Sequence, residues 1–123
     1  MKDSITLIKT LDLQYIADRM VDKYDWEPDY AKESVRRYKN FLIFKCVYPK
    51  LVFPLLPEID EIWHQHILFT ENYIRDCEQI FDSYLHHKPG STMEEAQYQE
   101  STRVYEEYFQ EPFSPSLFDF RRM

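Results

Sequence analysis

The stretch PEIDEIWHQHILFTENYIRDCEQIFDSYL, residues 57–85, decides the fold. After Pro57 it contains neither proline nor glycine, and its apolar residues recur at helical spacing. At about 100° per residue, Ile59, Ile62, Trp63, His66, Ile67, Thr70, Tyr73, Ile74, Cys77, Ile80, Phe81 and Tyr84 fall on one face. Asp60, Glu61, His64, Gln65, Glu71, Arg75, Gln79 and Asp82 fall opposite. The pattern predicts one long helix, entered at Pro57 and ended by HHKPG at 86–90. Glu58, Asp60 and Glu61 lie in its first turn, where carboxylates favour the helix dipole.

The same periodicity extends upstream. A first helix is predicted from about Leu11 to Trp26, with Leu13, Ile16, Ala17, Met20 and Tyr24 in register. Pro28 opens a second, whose stripe is Ala31, Val35, Tyr38, Leu42 and Cys46, and Pro49 ends it. The segment PKLVFPLLP, 49–57, is too proline-rich for a central strand and reads as an extended link across a bundle. Downstream, Ser91 and Glu94 match a capping box for a fourth helix with inner residues Tyr98, Thr102, Tyr105 and Phe109. Ser114 and Pro115 suit the start of a short fifth. The expectation is an all-α, single compact domain over residues 1–123, with four main helices and a short C-terminal one.

Composition agrees. Ten Tyr and nine Phe in 123 residues provide a core of large, flat side chains. The single glycine, Gly90, argues against a fold rich in hairpins. Net charge is −7, and residues 51–123 carry fourteen Asp/Glu against five Lys/Arg. Such a chain gains little from phosphate backbones, so nucleic acid is not an expected partner. The basic cluster Lys32, Arg36, Arg37 and Lys39 reads as a solvated helix face. No segment reaches the ~18 apolar residues of a membrane span, and MKDSITLIKTLDLQ lacks the apolar core of a signal peptide. A cytoplasmic location is expected, with Cys46 and Cys77 as free thiols.

All four histidines, His64, His66, His86 and His87, fall within 24 residues, with Cys77 among them. These residue types suggest a metal such as zinc. Helix geometry opposes a single closed site. His64 and His66 point about 200° apart on a continuous helix. His66 and Cys77 share a face but lie about 16 Å apart along its axis, far beyond metal–ligand bond lengths. The candidate ligands His64, His66 and His87 are therefore not expected at one ion. Asp60 and His64, four apart, can form a carboxylate–imidazole pair. His66 faces the apolar stripe and needs hydrogen-bond partners there. Thr70 and the inward residues Tyr38, Tyr98, Thr102 and Tyr105 can supply them. Cys77 is most simply a small buried residue, and His86 and His87 suit the helix C-terminus.

The run LLPEIDEIWHQHILFTENYIRDCEQIFDSYLHHKP closely resembles the signature of the glycine-rich domain-containing protein-like family. The matching residues are Asp60, Trp63, His64, His66, Thr70, Tyr73, Cys77, His87 and Pro89. YKNFLIFKCVYP upstream and STRVYEEYFQEP downstream resemble its flanking blocks, so the likeness spans roughly Ala31 to Phe118. The glycine-rich segment itself is absent, and the resemblance is to the helical module alone. It implies an all-α domain and no particular activity.

Two functions fit. One is a non-catalytic binding module for a protein or small molecule, presenting Asp60, Trp63, His64, His66, Thr70, Tyr73 and Cys77 as a polar, aromatic motif, with or without a metal. The other is a small His- or metal-dependent enzyme with its site around His66. The helical wheel places Trp63 on the inner face. Trp63→Ala is expected to lower stability by about 3–5 kcal/mol, and a near-native denaturation midpoint for that variant would place Trp63 off the core.

Overall fold

The computed structural model describes residues 3–87 and 93–113. Among these residues the chain forms six α-helices and no strand. They are α1 Ser4–Thr10, α2 Gln14–Tyr24, α3 Pro28–Val47, α4 Pro57–Leu68, α5 Thr70–Phe81 and α6 Glu95–Phe109. The all-α expectation holds, but the helix count does not. None of the six is long and apolar enough to cross a membrane.

The first departure is α1. Asp3 caps it, accepting from the Thr6 backbone N–H at 3.1 Å and also from the Thr6 hydroxyl. Ile8 is its one fully buried residue, and Ser4 Oγ donates to the Ile80 carbonyl at 2.7 Å, tying α1 to α5. Asp12 then accepts from the Gln14 N–H at 3.1 Å, where α2 begins. The predicted first helix is thus shorter than Leu11–Trp26.

The 20-residue α3 is the central element and packs against α1, α2 and α4. Pro28 sits in its first turn, and the Glu27 carboxylate accepts from the Tyr30 N–H at 3.0 Å. Its inner stripe is wider than the predicted one. Tyr30, Ser34, Phe41, Ile43 and Phe44 are buried along with Ala31, Tyr38 and Leu42. The link after α3 runs without regular structure, as expected, and Phe53 makes it part of the core. Its ring meets Phe41, Phe44, Tyr105 and Phe113 edge-on, with centroids 5.0–5.9 Å apart.

Three of the four cations in the basic cluster on α3 are engaged, and Lys32 is exposed. Arg36 forks onto Glu111 at 2.8 and 3.1 Å and also pairs with Glu33. Arg37 is buried and donates to the Pro112 carbonyl at 3.2 Å. Lys39 Nζ donates to the Leu11 carbonyl at 2.6 Å, a cation at the C-terminal end of α1.

The capping box of α6 lies three residues beyond the expected one. Glu94 is the N-cap and Gln97 its partner, while Ser91 lies outside the described residues. Tyr105 is buried and anchors the helix through hydrogen bonds with Asn40 and Glu111. Tyr98 is exposed, because the first turns of α6, residues 95–100, have no neighbour covering them among the described residues. The short helix expected at Ser114 and Pro115 also lies outside the described residues.

Three helices end in the left-handed conformation without glycine, at Asp25, Asp82 and Gln110, with φ of 57°, 58° and 55°. The scarcity of glycine does not prevent left-handed caps; it makes them costlier. For Gln110 the left-handed cost is about 1–2 kcal/mol, against about 0.4–1 kcal/mol of chain entropy that a glycine would lose on folding. Gln110→Gly is therefore expected to raise stability by roughly 0.5–1 kcal/mol in a denaturant titration. A loss of stability would show that the Gln110 side chain matters more than its backbone.

Candidate functional site

The predicted long helix is two helices. It breaks at Phe69, whose φ of −83° and ψ of 69° are not helical. The Phe69 N–H still bonds back to the Gln65 and His66 carbonyls, and its own carbonyl accepts from Tyr73, so little backbone bonding is lost. Neither proline nor glycine causes the break. Tertiary contacts hold it: the Phe69 ring lies edge-on to Tyr15 at 4.9 Å, with the Arg19 guanidinium over it at 5.8 Å.

The corner brings together residues that a straight helix would hold about 15 Å apart along its axis. Trp63 Nε1–H donates to the Tyr73 hydroxyl at 2.9 Å. His66 Nε2 meets Asp76 Oδ2 at the same distance, 2.9 Å. Both bonds span ten residues and cross the corner. Past it, the buried residues of α5 are Tyr73, Asp76, Cys77 and Ile80, a clean helical repeat. Thr70 and Ile74, predicted inward on the continuous wheel, are exposed instead. Tyr84 also turns outward, because α5 ends at Phe81. Gln65, predicted outward, is buried and accepts from Arg19 Nε at 2.8 Å.

His66 is the centre of the inner half. It is 1% exposed, Asp76 3% and Tyr38 0%. Tyr38, reaching across from α3, places its hydroxyl 2.7 Å from His66 Nδ1. A carboxylate only accepts, so Nε2 carries the proton toward Asp76. Burial holds the Tyr38 hydroxyl well above the ordinary tyrosine range, so it stays protonated and is the hydrogen-bond partner of Nδ1. The chain Tyr38–His66–Asp76 thus satisfies both imidazole nitrogens. Arg75, largely exposed, lies 3.4 Å from the second Asp76 oxygen.

Of the inward partners considered for His66, only Tyr38 bonds to it. Tyr105 bonds Asn40 and Glu111, while Tyr98 and Thr70 are exposed. Tyr73 meets His66 edge-on at 4.9 Å, and its hydroxyl donates to the Leu85 carbonyl. Cys77 is buried and unoxidised, and burial first of all pushes its thiol up, which suits packing better than nucleophilic attack.

The outer half is built differently. Asp60 does not pair with His64. It pairs with His87 Nε2, whose ring stacks on Trp63 at 4.1 Å and 20°. The chain leaving α5 therefore returns to α4, and His87 closes that return rather than capping a helix. His86 is exposed and packs on Tyr84 at 4.8 Å. His64 is exposed and makes no hydrogen bond among the described residues. The structure thus separates the three proposed ligands. His66 has both nitrogens engaged inside, His87 holds Asp60, and His64 faces outward. Among the described residues no three His, Cys, Asp or Glu side chains group as a metal site requires.

Asp76 is the key residue that sequence reading missed. It lies at the edge of the continuous wheel and enters the pattern only as the residue three after Tyr73 in the series Tyr73, Asp76, Cys77, Ile80. The sequence-based expectation for His66→Ala is a loss of about 1–3 kcal/mol through unpaired hydroxyls. With a buried carboxylate also left behind, the expected loss rises to about 3–5 kcal/mol. His64→Ala is expected to stay within about 0.5 kcal/mol of the parent. Equal effects in the two variants would contradict the division of the motif.

No curated protein and no solved structure matches the chain. One family model does, described as UCP032817-like, over residues 6–110. That span takes in every described helix from within α1 through α6, the Phe69 corner and His87. The chain therefore belongs to the UCP032817-like family.

Proposed function

We propose that this chain is a non-catalytic helical binding module whose recognition surface is the outer half of the W-H-x-H corner. Asp60, His64 and His87 form that surface, set around Trp63. One observation carries the reading: the motif divides into a sealed half and a reachable half. The Tyr38–His66–Asp76 chain is closed to solvent, whereas the Asp60 and His87 side chains are 46% and 19% exposed. Stacking on Trp63 fixes the His87 ring, so its polar edge is presented at little entropic cost. The acidic balance favours a protein or small-molecule partner over nucleic acid. Two free thiols suit the reducing cytoplasm.

A second reading rests on the order carboxylate–imidazole–hydroxyl in Asp76, His66 and Tyr38. That order is the one a general-base site uses, and it supports a small His- or metal-dependent enzyme centred on His66. It requires the Tyr38 hydroxyl to be uncovered when substrate arrives.

A photo-crosslinking residue at position 64, expressed in cells, separates the two. The module reading expects a discrete adduct that disappears when Asp60→Asn and His87→Ala are added. An adduct indifferent to those changes, or none at all, counts against it. Metal analysis of protein purified without a His-tag provides the complementary check. Stoichiometric metal that is lost in His66→Ala supports the enzyme.

A further inference from the structure

A groove of about 430 Å³ lies between the α1–α2 corner and α3, on elements separate from the W-H-x-H surface. Its floor is apolar, formed by Leu11, Leu13, Ala17, Val35 and Ile43. Its rim carries four cations, Lys9, Lys32, Arg36 and Lys39, against one carboxylate, Asp12. This is a concentration of positive charge in a chain of net charge −7.

The four cations are not equivalent. Arg36 is committed to Glu33 and Glu111, and Lys39 to the Leu11 and Lys9 carbonyls. Burial pulls the Lys39 ammonium below the ordinary lysine range, consistent with a structural cap. The Lys9 and Lys32 ammonium groups donate no hydrogen bond and form no close ion pair among the described residues, and, after the Thr6 hydrogen bonds, the Lys9 charge helps to hold the Asp3 carboxyl low from a distance. They remain the available counter-charges at the mouth of the groove. The Lys39 bonds meanwhile fix the corner at residues 9–11 against α3, so the groove is held open by the fold and lies within the size range of preformed small-molecule sites.

We infer that this groove binds a small anionic amphiphile, with its carboxylate or phosphate head at Lys9 and Lys32 and its short apolar body over Leu11 and Val35. The head gains two cations that hold no close ion pair among the described residues, and the body covers apolar surface that α3 and the corner leave open. Neither part suffices alone. A charged ligand without a tail leaves the floor wet, and a neutral one leaves both lysines unanswered.

Titration of the full chain with octanoate and with octyl phosphate, followed by methyl and amide NMR shifts, tests this. The result expected is saturable shifts at Leu11, Leu13, Ala17, Val35 and Ile43 with at least one of the two probes, the tighter one identifying the head group. Octanol and acetate are each expected to bind about tenfold more weakly or less. Lys9→Glu with Lys32→Glu, both surface changes, should weaken the probe by about tenfold or more while the helical spectrum stays intact. Val35→Trp, filling the groove, should abolish the shifts. No saturable shift with either probe, equal binding of octanol, or undiminished affinity in the Lys9/Lys32 variant would overturn the inference.

Discussion

The bond between His66 and Asp76 is the interaction on which the rest of the structure depends. It joins α4 to α5 across a corner that has no local cause. A hydrogen bond to a charged group is worth about 1.5–3 kcal/mol net, but an unmade one in the interior costs its full desolvation. That asymmetry matters more than the gain. Once Asp76 is buried, conformations that leave its carboxyl without a donor are penalised, and His66 supplies the buried one. The straight helix favoured by local periodicity separates the two and is excluded for that reason. Trp63 and Tyr73 repeat the constraint one turn away, and Tyr38 extends it to α3.

This arrangement accounts for much of the surrounding packing. Tyr38 lies on the central helix, so α3, α4 and α5 are fixed together by three polar side chains inside a largely apolar core. Such a network does little for stability relative to a well-packed apolar core. The outer layer is attached to it through Trp63. The Trp63 indole bonds inward to Tyr73 and stacks outward on His87, and Asp60 holds His87 in place.

How much of this was legible in the sequence follows from which forces were local. Pro57 and Pro28 mark helix starts through their fixed φ, and both starts are where the pattern put them. The inward placement of Trp63 and His66 and the outward placement of His64 follow from spacing within a few turns, and these too agree. The Phe69 corner does not follow, because Leu68, Phe69 and Thr70 carry no breaker. What bends the chain is contact with Tyr15 and Arg19, more than forty residues earlier in sequence, and the bonds to Tyr73 and Asp76. The same reason explains Asp60. Spacing pairs it with His64, but tertiary return of the chain gives it His87. Helix α1 was missed because its seven residues bury a single side chain fully, too little for a periodic signal.

The site was legible as a set of residue types and as the inward or outward sense of His66 and His64, but not as a set of partners. Helix spacing already set the histidines apart; the fold arranges them as two centres, back to back on Trp63. Nitrogen NMR of the histidine side chains tests the inner one most directly. The account predicts a single fixed tautomer for His66, protonated on Nε2, with a slowly exchanging proton and a measurable coupling across the bond to Asp76. His64 should show a rapidly exchanging, averaged pattern. An averaged, fast-exchanging His66 would mean that the bond across the corner is not formed in solution, and the account built on it would fail.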